Sequence, residues 1–208
     1  MTSEMLLLLK GLITGFFYTF ISINAMLLIA YYVVKEDTKS GVVGALGVIV
    51  VQAIWASIAV LLLHFSYHGF GKDPKIYALI GSIILFIMAV KVYRSRGRYG
   101  KEPRLRTRPI SIFSSTFFLA LAIPMRIFGY GAILLALDIH PSAPKLAESI
   151  FPIVGILLGT SLFWWIFIFA AHHSKKIIPL KTLQHFHQFA AFLLVAFSIV
   201  GLLQIYFS

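Results

Sequence analysis

Residues 110–137 read ISIFSSTFFLALAIPMRIFGYGAILLAL, an apolar run interrupted by one charge, Arg126, and one proline, Pro124. A straight bilayer-crossing helix needs roughly 20 apolar residues, so this run is expected to tilt, break or extend into the interface. Pro124 favours a break. It has no N–H to donate to the carbonyl of Ala120 and its ring crowds that turn, which places a kink or rupture near the middle of the span. A ruptured membrane helix leaves backbone groups that must face protein or a watery cavity. Arg126 follows two residues later, far from both ends of the run, where a charge costs at least about 2.5 kcal/mol. Something has to solvate it or pair with it.

The rest of the chain is written in the same style. Of 208 residues, 60% are hydrophobic and 12% charged. Those proportions exclude both a water-soluble globule and a chain that stays unfolded, since 19 Phe among them cannot remain solvated. Six stretches are long and apolar enough to cross a bilayer: 6–34, 42–64, 76–92, 110–137, 149–171 and 183–207. Helices are expected in all six, because lipid offers the backbone no partners and no stretch alternates like a barrel strand. The first stretch lacks a basic leader and a small-residue cleavage site, so it is expected to be a retained span. Pro74, Pro109 and Pro152 stand at the starts of the third, fourth and fifth spans, where a missing N–H costs nothing. The chain has no cysteine, which excludes disulfides, thiolate metal sites, iron–sulfur clusters and covalently attached haem.

The net charge of +11 does not form a nucleic-acid-binding face, because the basic residues are parted by apolar blocks. They sort by loop instead. Lys35, Lys39, the run of seven from Arg94 to Arg108, and Lys175, Lys176 and Lys181 fall on one side, against Lys10, Lys72, Lys75 and Lys145 on the other. The positive-inside rule then puts both termini outside and the basic loop in the cytoplasm of a multi-pass cytoplasmic (inner) membrane protein. That loop divides the chain into 1–93, the loop 94–109, and 110–208, three spans on either side. Halves with an odd number of crossings, if related, must be inserted upside down relative to each other, which is the inverted-repeat plan of many transporters. Gly15-Phe16-Phe17-Tyr18-Thr19-Phe20 aligns with Thr116-Phe117-Phe118-Leu119-Ala120-Leu121, and Gly47 and Gly155 open comparable stretches that lead to Trp55 and to Trp164-Trp165. The expected fold is therefore an all-α integral membrane protein of six helices, arranged as two inverted three-helix repeats.

The polar loop 35–39 followed by Gly44-Ala45-Leu46-Gly47, the basic loop after the third span, the mid-span Pro124, and Gly155 to Trp165 with a basic turn behind it resemble the LysE/RhtB amino-acid exporters. The similarity covers nearly the whole chain in span order and loop length. That family usually breaks its first span at Pro-Gly-Pro and its fourth at Asn-Pro. Here Ser22-Ile23-Asn24 stands in the first place, and Ile123 precedes Pro124 in the second, so the chain resembles a divergent member. The resemblance implies efflux of amino acids or related small zwitterionic or anionic metabolites, and a possible homodimer.

Arg126 beside Pro124 is the leading candidate for substrate binding, since a guanidinium grips a carboxylate through two parallel hydrogen bonds. All seven acidic residues lie at span ends or in loops, which favours a neutral or anionic substrate over a basic one. Thr19, Ser22 and Asn24 on the first span and Gln52 on the second have the donor and acceptor capacity to complete such a cavity. No nucleotide-binding loop is present, so an ion gradient or the membrane potential is the expected source of drive, with His185 and His187 as candidate proton carriers. No enzyme chemistry, resident metal or cofactor is expected, and the partners are the small-molecule substrate and membrane lipid. Two other readings stand beside this one. The seven histidines, among them His64 and His68 at i,i+4 spacing, would serve a histidine-liganded metal transporter or a haem-binding membrane redox protein. A non-transporting membrane scaffold is the third.

Overall fold

In the computed structural model, residues 3–69, 74–94, 108–122, 126–137, 150–174 and 180–207 are described. Among them are eight helices and no strand: α1 (Ser3–Thr19), α2 (Ile23–Lys35), α3 (Thr38–Gly69), α4 (Pro74–Arg94), α5 (Pro109–Leu121), α6 (Arg126–Ala136), α7 (Ile150–Ser174) and α8 (Leu180–Phe207). Each expected span contains one helix or a bent pair. Helix ends follow local chemistry. Pro109 opens α5 where its missing N–H is harmless, and the Asp37 carboxylate caps α3 by accepting from the Ser40 amide at 2.7 Å. Lys91 and Arg94 face the negative end of α4.

Two helices are individually long and apolar enough to cross a membrane, Thr38–Leu63 of α3 and Ile150–Ser174 of α7, with mean hydropathies of 2.5 and 2.2. Two bent pairs qualify jointly, α1 with α2 at 75° and α5 with α6 at 66°, which makes up to four candidate spans among the described residues. In α8 the described apolar stretch, Gln188–Leu203, is shorter. Pro124 itself lies outside the described residues, but the helix axes on its two sides diverge as a proline break requires.

The first bend has no proline. Phe20, Ile21 and Ser22 donate in turn to the carbonyls of Phe17, Tyr18 and Thr19 at 3.2, 3.2 and 2.9 Å, so the last turn of α1 tightens to an i→i−3 pattern. Met26 then donates to Ser22 at 2.9 Å and the chain restarts as α2 in a new direction. Thr19 contributes by donating its hydroxyl to the Gly15 carbonyl at 2.6 Å, a back-bond that commonly bends helices.

The bundle is apolar outside, and its apolar interior encloses several polar side chains. Val154, Leu158, Leu162, Trp165 and Phe169 form an exposed stripe on α7, and Ile76, Leu79, Ile80, Ile83 and Ile87 form another on α4. Buried among the helices are Thr14, Thr19, Ser22, Gln52, Thr116, Thr160 and Arg126. Water would penalise this distribution and lipid rewards it. Two apolar clusters make the core, one around Met26, Val48, Phe163 and Trp164, the other around Tyr18, Leu85, Tyr130 and Ile133, and Trp55 packs against both.

α1 packs most extensively along α7, and α5 packs along α3. Both seams bring backbones together at glycine. A Cβ on Gly159 would collide with the carbonyl oxygen of Leu12 and crowd the amide of Phe16; a Cβ on Gly47 would crowd the carbonyl oxygen of Phe113 and the amide of Phe117. Leu12 and Phe16 stand to Phe113 and Phe117 in the register that aligns Gly15 with Thr116. Gly159 thus meets Leu12 and Phe16 much as Gly47 meets Phe113 and Phe117. Contacts advance in the same direction along both partners, Gly11 on Pro152 and Gly15 on Ile156, then Gly44 on Ile112 and Gly47 on Phe113, so each seam is parallel.

Candidate functional site

The two bends meet through one hydrogen bond. The Tyr18 hydroxyl, on the last turn of α1, donates to the carbonyl of Arg126, the first residue of α6, at 3.3 Å. The Tyr18 ring lies against Tyr130 with centroids 4.4 Å apart, and the hydroxyl occupies the place a Cβ on Gly129 would need. A residue of α1 thus fixes the first turn of α6 at three points: Arg126, Gly129 and Tyr130.

Arg126 is 3% exposed and its Nη1 has no hydrogen-bond partner. Among the described residues, the side chains whose charge state would act on the guanidinium are Tyr18 and Tyr130, and no carboxylate is near it. A buried cation without a counterion is costly unless something else completes its shell. Tyr130 is wholly buried too, and its hydroxyl faces Thr160 without a well-formed bond. Thr160 on α7 donates to the Gly15 carbonyl at 3.4 Å and lies 3.5 Å from the Thr19 hydroxyl.

Behind the first bend, Gln52 of α3 donates through Nε2 to the Ser22 hydroxyl at 3.2 Å, and its Oε1 has no donor. The indole N–H groups of Trp55 and Trp164 are buried and without acceptors. Buried polar groups are mostly satisfied, so each of these five atoms among the described residues asks for an account. Four of them are hydrogen-bond donors or able to donate.

Of the residues expected to carry binding, Arg126, Thr19, Ser22 and Gln52 are buried in the interior, the last two in direct contact. Asn24 is exposed on α2 and stands outside this buried group. Pro124 lies outside the described residues, as does the side chain of His187; His185 is exposed on α8. The side chains of His64, His68 and His140 also fall outside the described residues. Among those described, no three of His, Asp and Glu gather as a metal site would require. Sequence reading did not single out Tyr18, Tyr130, Thr160 or Trp164 for the site, although Tyr130 stands four residues after Arg126, on the same helical face.

A separate open cavity of about 360 Å³ lies where α2 passes into α3, bordered by Glu36, Asp37, Thr38 and His172. The Thr38 hydroxyl and His172 Nδ1 are 2.8 Å apart there, joining the start of α3 to the end of α7. The hydrogen bond to Ser40 holds the Asp37 carboxyl below its ordinary range.

Comparison with protein-family models, with curated proteins and with solved structures gives no match.

Proposed function

We propose that the chain is a secondary transporter that exports amino acids or related small zwitterionic or anionic metabolites across the cytoplasmic membrane. Six spans form two inverted three-helix halves, with both termini outside, and the chain is a divergent relative of the LysE/RhtB exporters it resembles in sequence. The observation that carries the reading is Arg126, buried and without a counterion among the described residues, at the start of a helix that begins beside a bend. A fixed cation costs too much in the interior to serve packing alone, and a substrate carboxylate supplies what it lacks.

The arrangement of the halves supports the same reading. Exchanging α1, α2, α3 and α4 for α5, α6, α7 and α8 turns the α1–α7 seam into the α5–α3 seam, and the α2–α7 contact into α6–α3. It leaves the α3–α7 and α4–α8 pairs unchanged, whereas the α2–α3 packing has no comparable α6–α7 counterpart among the described residues. Spans one and five, and spans two and four, run parallel when six spans alternate in direction, as the two glycine seams do. Bent spans beside a central site are the usual device of carriers built from inverted repeats, whose halves rock about the bound substrate. The membrane potential supplies about 2.3 kcal/mol per charge for each 100 mV, enough to drive uphill efflux without a nucleotide.

The test is transport in vesicles carrying the purified protein, preloaded with a panel of labelled amino acids and small organic anions. At least one should leave faster than from empty vesicles, and Arg126→Ala should abolish that flux while inserting normally. Equal flux from Arg126→Ala vesicles refutes the assignment.

A further inference from the structure

Arg126 is not the only buried donor without an acceptor on the first turn of α6. Tyr130 follows it by four positions, so the two side chains leave the helix on one face, one turn apart. The Tyr130 hydroxyl is enclosed and unsatisfied, as is Arg126 Nη1. Each group lies within electrostatic range of the other. Nor is the phenol free to seek a partner elsewhere, because its ring is held against Tyr18, which is itself tied to the Arg126 carbonyl. Enclosed tyrosine hydroxyls ordinarily find an acceptor. Here two donors, one charged and one neutral, are fixed at the positive end of α6, Arg126 Nη1 without an acceptor and the Tyr130 hydroxyl facing Thr160 without a well-formed bond.

We propose that Tyr130 is a second ligand of the anion that Arg126 binds, and that the ligand class is a monocarboxylate, one oxygen accepting from Arg126 Nη1 and the other from the Tyr130 hydroxyl. This rests on the reading of Arg126 given above. The charge sets the class. Among the described residues, Arg126 is the single fixed charge that acts on Tyr18 or Tyr130. One carboxylate neutralises it, whereas a dianion would carry uncompensated charge into the interior. The phenol adds a directed bond and no charge.

Binding is measured on the full chain in detergent by intrinsic tryptophan fluorescence and thermal shift. The probes are propionate as a bare monocarboxylate, L-alanine as the same carboxylate with an ammonium group, and succinate and inorganic phosphate as dianions. Propionate or L-alanine should bind the wild type, and both dianions should bind more weakly. Tyr130→Phe should weaken the bound carboxylate by about tenfold, the loss of one hydrogen bond to a charged group. The unliganded variant should melt at the wild-type temperature or above it, because it loses an unsatisfied hydroxyl rather than a bond. A structural tyrosine would show the reverse, a lower melting temperature with unchanged affinity. Tyr32→Phe removes another buried hydroxyl and serves as the control, with wild-type affinity expected. The inference is overturned if Tyr130→Phe binds like wild type while Arg126→Ala does not, if both Phe variants weaken binding alike, or if phosphate or succinate is preferred. Undiminished carboxylate binding by Arg126→Ala would instead overturn the reading of Arg126 itself.

Discussion

The hydrogen bond from Tyr18 to the Arg126 carbonyl ties the first bend to the start of α6, and its loss is measurable apart from transport. Tyr18→Phe keeps the ring against Tyr130 and removes the donor, so it should lower stability by about 1 kcal/mol in reversible unfolding in detergent. Gln52→Leu should differ. It removes one bond to Ser22 but also an unsatisfied buried oxygen, so stability should stay within about 1 kcal/mol of wild type. Much of this shell is legible in the sequence, because a lone Arg126 or Gln52 in an apolar run has nowhere to go but inward. Tyr18, Tyr130 and Thr160 are not legible in the same way, since tyrosine and threonine occur equally at membrane surfaces and in helix seams. Asn24 shows the limit of reading by proximity. Two positions on a helix are roughly 200° apart, so Ser22 buried at the start of α2 turns Asn24 outward.

At the scale of elements, the seams and the caps make separate predictions. Gly159→Ala places a methyl group on the Leu12 carbonyl and must push α1 from α7, at a cost of about 1–3 kcal/mol in the same unfolding measurement. Gly131→Ala meets nothing within 4 Å and should gain up to about 1 kcal/mol from helix propensity. The Asp37 cap makes the start of α3 sensitive to acid. Its carboxyl is held below the ordinary value of 3.8, so its contribution is complete above that value and disappears as pH falls through the lowered one. The protection of the Ser40 amide against hydrogen exchange, taken relative to the intrinsic rate at each pH, should therefore be flat from neutrality to that point and fall below it. The bend between α5 and α6 is expected from Pro124, and the long first run calls for a tilt or a break. The cause of the first bend is not readable, because three i→i−3 bonds and a threonine back-bond leave no composition signal. The close approach at Gly159 is equally hidden. Gly155 and Gly159 lie on one face, and only the approach of the Leu12 carbonyl tells them apart.

For the whole molecule, composition and helix length fit a lipid surrounding, and the structure adds how the polarity is distributed. Apolar stripes on α4 and α7 face outward while a cation, four threonines, Ser22 and a glutamine are enclosed. The proposed carrier requires that this interior be reached by water from one side at a time, with Arg126 at the end of the path. The absence of native cysteine makes the requirement directly measurable. With Arg126→Cys as the sole thiol, a charged methanethiosulfonate reagent should label intact vesicles from one face, whether or not a carboxylate is added, because the variant lacks the guanidinium that would bind it. A thiol at this position that stays unreactive from both faces would show position 126 sealed from water and contradict the transport mechanism.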